Sequence, residues 1–418
     1  MRVVLLNDVG FQWGAGVALR RQVQSFLLGG HAVAVVCWMA GDNTAEPQVV
    51  GVEPAGGWEG VHALPEIHED RGLDEDQIVA AVTAKVLELS PDVVITGNLH
   101  RARWPLNILP ALQHSGCLVV AYLHDCHWIT GRCAYTGGCT LYRTGCDERC
   151  PTPEVYPALD PSRIAPAWQL RRRVFTGAGR IPFATNSRWL RDLADEGFGG
   201  KAMADVVRLG LDDRLFSPID RRLARRLLGL PEDDVVVLVG AVHINEPRKG
   251  GALLREVLRT LASRPGVKLM AFGLQSDEIE SVHGLGIVSD ERVMPVVFSA
   301  ADVFLNTSTE EAFGQSLLEA AACAVPVVAL QVGGVPEVAR HGRNAVLVPE
   351  LTAGAMISAL DPLLRDRDRR AQLGRNGRHM VEAEFSLEAQ LRRWEDYLGR
   401  LRNVGVTPEA SVPTPGQT

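Results

Sequence analysis

Two successive series of short, almost uninterrupted apolar runs, separated by stretches of helical spacing, constrain this chain more than any other feature. The first series is Val3–Leu6, Ala32–Cys37, Val93–Thr96, Leu118–Leu123 and Ala184–Asn186. The second starts near Val235 and comprises Val235–Val239, Lys268–Phe272, Val303–Asn306, Val327–Ala329 and Ala345–Val348. Continuous runs of this kind suit strands buried on both faces, which requires a parallel sheet covered by helices. Val17–Leu28, Asp76–Leu89, Gly251–Ser263, Met294–Ser299 and Gln315–Cys323 carry the helical period between them. Ser187 stands where it would cap a further helix.

At 418 residues the chain can bury two cores. The expected plan is a Rossmann-like domain over 1–205, with a Cys-rich loop at 126–150, and a second over 206–385. The charged, proline-punctuated stretch Asp212–Pro231 marks the junction. A helix over 386–405 with Trp394 and Tyr397 follows, and the Pro/Ser/Thr-rich tail 406–418 is expected to be disordered.

A net charge of −7 gives no electrostatic argument for a nucleic-acid partner. No apolar stretch reaches transmembrane length, and the first residues read as a strand rather than a signal peptide. The expectation is a cytoplasmic protein with reduced thiols. The run Arg171-Arg172-Arg173 is compatible with a solvated helix face or with peripheral attachment to the inner membrane surface.

In open parallel sheets, ligands bind at the carboxyl ends of the strands. After the first strand, Gly10-Phe11-Gln12-Trp13-Gly14-Ala15-Gly16 leads into a helix, a layout that serves a tight turn or a phosphate. A dinucleotide fingerprint is incomplete there: Leu19 takes the place of the third glycine, and Cys37-Trp38 supplies no acid for a ribose. A stronger signal is Gly240 to Gly250, where Arg248 and Lys249 can hold a diphosphate and neutralise it as it leaves. The segment Ser308 to Ala320 then sets Glu311 in a loop and Glu319 in the following helix. Gly314 permits close backbone approach, and Phe313, Gln315 and Ser316 stand at the start of that helix.

The Glu311-x7-Glu319 spacing, the Cys323-Ala324-Val325-Pro326-Val327-Val328 strand and the Gly333-Gly334-Val335-Pro336-Glu337 turn resemble the GT-B retaining glycosyltransferases of family four. Leu209-Gly210-Leu211-Asp212 through Phe216-Ser217-Pro218, and Ser299-Ala300-Ala301-Asp302-Val303-Phe304, extend the similarity to nearly the whole chain. Leu209 replaces an Asn usual in the family. The resemblance implies an α/β GT-B fold, two Rossmann-like domains facing a cleft, with the terminal helix crossing back to the first. It implies that Arg248 and Lys249 bind the donor diphosphate, Glu311 the donor sugar and Glu319 the ribose. Gly286 and Ile287 would lie near the base, Gly14 and Gly16 would face the diphosphate, and His124 would contact the transferred sugar. No cofactor is required for catalysis on this reading.

Cys133, Cys139, Cys146 and Cys150 follow Cys126 with spacing C-x6-C-x5-C-x6-C-x3-C. Four clustered thiols in a reduced compartment are compatible with a structural zinc, with free thiols or with an oxidised staple. The pattern from His124-Asp125 through Cys150-Pro151 resembles a branch that builds bacterial exopolysaccharide or O-antigen.

The expected function is transfer of a sugar from a nucleotide diphosphate donor, UDP before GDP, with retention. The acceptor would be a saccharide, a lipid-linked saccharide or a small-molecule aglycone, met by loops such as Gly97-Asn98-Leu99-His100 and the cysteine segment. Competing readings are an NAD-dependent dehydrogenase, a nucleotide-sugar epimerase, a phosphorylase and a non-catalytic sugar-nucleotide-binding protein.

Overall fold

The computed structural model describes residues 1–52, 56–240, 246–273 and 281–404. Residues 241–245 of the basic loop and the tail 406–418 therefore lie outside the described residues. The chain divides into two compact units: Met1–Gly210 with the chain from Gln390, and Leu211–Ala389.

The first unit is built on a seven-stranded sheet. Its strands are β1 (Arg2–Val9), β2 (Ala32–Met39), β3 (Trp58–Ala63), β4 (Val93–Thr96), β5 (Leu118–Leu123), β6 (Phe183–Thr185) and β7 (Ala204–Val206). Their spatial order is β3-β2-β1-β4-β5-β6-β7, every pair parallel. A domain boundary at 205 would cut β7, so the first unit runs on to Gly210. Val4, Leu6, Val36, Val94, Val119 and Leu123 form a core with Ile78, Val82 and Val86 of the helix Glu75–Glu88. That helix begins with a reciprocal cap: Asp74 accepts from the Gln77 amide at 2.8 Å, and Gln77 from the Asp74 amide at 2.9 Å. Ser187 does cap the helix Arg188–Phe198, accepting from the Leu190 amide at 3.2 Å.

The helix Leu387–Asn403 returns the chain to this unit from Gln390. Trp394 is fully buried, its ring 4.9 Å from Tyr122 and 6.0 Å from Phe26, and the Tyr397 hydroxyl donates to the Phe183 carbonyl at 2.8 Å. Large buried aromatics contribute strongly to such docking.

The second unit carries a six-stranded parallel sheet. Its strands are β8 (Val235–Gly240), β9 (Val267–Phe272), β10 (Val282–Gly284), β11 (Val303–Asn306), β12 (Val327–Leu330) and β13 (Ala345–Val348), in the order β10-β9-β8-β11-β12-β13. Val237, Val239, Leu305 and Val328 pack against Leu254, Val257 and Leu261 of the helix Gly251–Ala262. Beneath β8, Asp302 is buried among arginines. It accepts from Arg221 at 2.7 Å, from Arg225 at 2.5 Å and from the Val236 amide at 2.8 Å.

Both sheets reverse their winding once, between β1 and β4 and between β8 and β11. At such a switch point the loops from adjacent strands diverge and leave a crevice at the carboxyl edge.

Candidate active site

In the second unit, the loops leaving β8 and β11 meet at the switch point. The chain after β8 forms a short turn, Pro247–Lys249, ahead of the helix Gly251–Ala262. The chain after β11 is tied to it through main-chain atoms. The Thr309 amide donates to the Arg248 carbonyl at 2.7 Å, and the Thr307 hydroxyl to the Lys249 carbonyl at 3.1 Å.

This clamp sets Lys249 Nζ 3.0 Å from Glu311 Oε2 and Arg248 Nη1 3.7 Å from the same oxygen. The Glu311 side chain is only 15% exposed, so burial alone would raise its carboxyl pKa. Lys249, Arg248 and the Phe313 amide outweigh burial and hold it below the ordinary value, so it is ionised at neutral pH. Gly333 supports the same loop. Its φ is +52°, a Cβ there would lie 2.1 Å from the Glu311 carbonyl oxygen, and the adjacent Gly334 amide donates to that oxygen at 2.8 Å.

Gly314, at φ +91°, turns the chain into the helix Gln315–Ala322, whose first residues are Gln315 and Ser316. Phe313 is buried and its ring lies 6.1 Å from Phe385, so it anchors the loop from below. Glu319 is half-buried in that helix. Gly286 and Ile287 follow β10; the Gly286 carbonyl accepts from the Gly273 amide at 2.6 Å, and Ile287 is 77% exposed. Two cations, an ionised carboxylate, a helix N-terminus and an exposed apolar side chain thus share the carboxyl edge of this unit.

In the first unit, Gly14 and Gly16 belong to the helix Trp13–Leu28. Their reasons for being glycine differ. A Cβ on Gly16 would sit 2.3 Å from the Gly10 carbonyl oxygen, whereas one on Gly14 would meet nothing within 4 Å. His124 directly follows β5, with its ring 4.4 Å from Tyr122. Burial pushes its pKa down to about 4 against the pull of Asp125, so it offers a neutral imidazole.

Four residues absent from the sequence-based site complete this edge: Asp8, Asp125, Tyr156 and Arg101. Asp125 Oδ2 pairs with His100 Nε2 at 3.1 Å and accepts from Asn98 at 3.2 Å, while Tyr156 Oη lies 2.9 Å from His100 Nδ1. Burial opposes the charge on His100, but the field and hydrogen bond of Asp125 prevail and raise its pKa. Asp8 is buried at the end of β1, which raises its pKa, and it accepts from the Arg101 amide at 2.9 Å. Asp8 and Asp125 stand at or just past strand ends, whereas nothing in the sequence around Tyr156, in the loop ahead of the helix Pro161–Thr176, announces it.

His127 is a structural residue. Its Nδ1 donates to the Arg132 carbonyl at 2.7 Å and its Nε2 accepts from Arg171 at 2.8 Å. Arg171 also donates to the Thr130 carbonyl at 2.8 Å, and Arg172 to the Gly197 carbonyl. Two of the three arginines of that run are therefore committed within the unit.

Cys133, Cys139, Cys146 and Cys150 lie within electrostatic reach of one another, and all are free thiols. Among the described residues, however, no group of three or more His, Cys, Asp or Glu is arranged to hold a metal ion. Burial pushes the Cys133 and Cys146 thiols up to about 11, so both carry their protons at neutral pH with no ion bound. The segment is braced by Arg132, whose guanidinium donates to the carbonyls of Thr152, Val155 and Pro157. Among the described residues no helix is long and apolar enough to cross a membrane.

Comparison with known proteins places these features in context. Residues 233–366 match the family described as "Glycosyl transferases group 1". D-inositol 3-phosphate glycosyltransferase of Mycobacterium tuberculosis is 39% identical over 181 residues, which is 39% of this chain and 36% of that protein. The match thus spans little more than a third of the relative's length. Sucrose-phosphate synthase from Thermosynechococcus elongatus superposes with a TM-score of 0.71 at 18% identity, covering 97% of this chain and all (100%) of that one. HepE of Anabaena, solved in complex with UDP and glucose, gives 0.67 at 19%, covering 96% and 100%. The two parallel-sheet units have the GT-B architecture of those structures. The part of the chain that matches the glycosyl transferases group 1 family, residues 233–366, includes Arg248, Lys249, Glu311 and Glu319, and the chain has the GT-B fold.

Proposed function

We propose that this protein transfers a sugar from a nucleotide diphosphate donor to a hydroxyl, with retention of anomeric configuration. The observation that carries the reading is the pairing of Lys249 and Arg248 with the buried, ionised Glu311 at the switch point of the second sheet. Two cations there suit a diphosphate leaving group, so the reading needs no divalent metal. A carboxylate already neutralised by Lys249 is a weak nucleophile and a good hydrogen-bond acceptor for sugar hydroxyls. Retention then proceeds on one face: the C1–O bond to the phosphate breaks, the acceptor oxygen bonds C1 from the same side, and the departing phosphate oxygen takes the acceptor proton. Glu319 would hold the ribose, Gly286 and Ile287 the base, and Gln315 and Ser316 the phosphates with the helix N-terminus. Gly14, Gly16 and the neutral imidazole of His124 would meet the diphosphate and the transferred sugar.

UDP is the favoured nucleotide, since HepE was solved with UDP and glucose. The cysteine segment supports a role in cell-surface polysaccharide assembly through its resemblance to that branch. Thermal-shift titration with UDP-, GDP-, ADP- and dTDP-sugars tests the reading. One nucleotide should stabilise the wild type and fail to stabilise the Lys249→Ala variant to the same degree. Equal stabilisation of both by that nucleotide would remove the diphosphate role of Lys249.

A further inference from the structure

We propose that Cys133, Cys139, Cys146 and Cys150 bind one zinc ion through their four sulfurs, stapling the loop between β5 and the helix Pro161–Thr176. The inference goes beyond the glycosyltransferase reading and uses none of its donor-binding residues.

The loop has little else to hold it. From Cys133 to Asp160 its regular structure is the single helical turn Leu141–Thr144, and its buried side chains are Tyr142, Cys146 and Pro157. A stretch of that length without a core of its own is uncommon unless something ties it down. Arg132 ties its later part, through the carbonyls of Thr152, Val155 and Pro157. The four cysteines are spread through the rest.

Two turns bring them toward one another. Between Cys133 and Cys139 the chain reverses at Gly137 and Gly138, with φ +56° and +81°, and the Cys139 amide donates to the Thr136 carbonyl at 2.9 Å. Between Cys146 and Cys150 the Cys150 amide donates to the Asp147 carbonyl at 3.0 Å. That short gap falls in the range of paired zinc ligands. Cys133 lies within electrostatic reach of the other three, and Cys146 within reach of Cys139 and Cys150. The Gly131 amide donates to the Cys146 sulfur, the kind of bond that steadies a metal-bound thiolate. It comes so close because residue 131 is glycine: a Cβ there would lie 2.7 Å from the Cys146 Cβ. No three of the sulfurs share one coordination sphere as they stand. Cys146 is buried and the others half-buried, so turning those three about χ1 would gather them around Cys146.

Charge selects the occupant. Arg132 and Arg171 spend their hydrogen bonds on neutral groups: loop carbonyls, the Thr152 hydroxyl and the His127 ring. Arg171 feels Cys146 and Cys133 ahead of Asp125, and Cys133 feels Arg132. On binding, Zn²⁺ takes the place of the four thiol protons, which leave to solvent, and the product is a dianionic tetrathiolate. That anion complements both guanidiniums. A pair of disulfides is neutral and would not.

Metal analysis of the full chain, produced with zinc and purified under reducing conditions without chelator, tests this. One zinc per chain should co-purify. Cys126→Ala, which changes the fifth cysteine of the segment, should keep it, and Cys146→Ser and Cys150→Ser should each lose it. Cobalt(II) exchanged into the wild type should give the intense visible bands of a tetrahedral cobalt thiolate, a readout that stands even if a serine variant misfolds. Chelation should speed tryptic cleavage after the exposed Arg143 and Arg149 about ten-fold, with the circular dichroism of the sheets unchanged. A wild-type chain without zinc, its four thiols either all open to a thiol reagent or joined as disulfides, would overturn the inference. So would zinc retained by both serine variants, or cobalt bound without thiolate bands.

Discussion

Lys249 and Glu311 lie 62 residues apart in sequence, yet their side chains meet at 3.0 Å and close the mouth between the strands that carry them. Removing the lysine takes away the nearest cation and leaves a buried carboxylate that burial pushes toward neutrality. Lys249→Ala should lower kcat at least about 100-fold, as expected for loss of a group that stabilises developing charge. The acidic limb of its pH–rate profile should move to higher pH, because Glu311 then takes up its proton earlier. A profile with an unshifted acidic limb would show that Glu311 is not held ionised by Lys249.

Gly14 and Gly16 separate packing from ligand contact. Gly16→Ala should destabilise the first unit by about 1–3 kcal/mol, since its Cβ would press on the Gly10 carbonyl oxygen. Gly14→Ala should keep or slightly raise stability, because the added methyl meets nothing within 4 Å on a helix. If Gly14 faces the diphosphate, the same change should lower the apparent donor affinity. Thermal melts and donor KM measured together decide this; a drop in stability with unchanged KM would contradict it.

Much of the fold was legible because parallel strands buried on both faces must be continuous apolar runs, as Val3–Leu6 and Leu118–Leu123 are. The strands that escaped notice are the sheet-edge ones. Trp58–Ala63 is half-exposed and interrupted by Gly60, and Ala204–Val206 and Val282–Gly284 have three residues each. The helix Pro161–Thr176 was hidden by its Pro166 and its many polar residues, Ile164 and Phe175 being its buried positions. In the site, Arg248, Lys249 and Glu311 were legible from residue type beside a strand end. The bond between Lys249 and Glu311 was not, since only the strand order brings β8 beside β11. The His100–Asp125–Tyr156 chain was invisible for the same reason: it joins three separate loops.

His124 gives a pH signature. Its folded pKa of about 4 lies below the ordinary 6.5, so the unfolded chain binds the proton first as pH falls. Stability is unaffected above pH 6.5 and drops by about 3 kcal/mol at most as pH falls toward 4. The stability advantage of wild type over His124→Gln should therefore shrink between neutral pH and roughly pH 4.5. Chemical denaturation at both pH values checks this, and a constant difference would contradict the buried neutral state.

Asp302 is the electrostatic keystone of the second unit, with Asp302 and Arg225 side chains each 3% exposed. Asp302→Ala strands Arg225 without its counter-charge and should cost about 3–5 kcal/mol. Asp302→Asn should cost less, since an amide still accepts from Arg225. Melting curves of both variants report this, and an alanine variant as stable as wild type would refute the assignment.

The most direct test of the account is slow donor hydrolysis by the purified chain across UDP-, GDP-, ADP- and dTDP-sugars without acceptor. Release of one nucleoside diphosphate, with UDP the expected product, should be abolished by Glu311→Ala and strongly reduced by Lys249→Ala. Undiminished release by the Glu311→Ala, Lys249→Ala double variant would contradict the account at its centre.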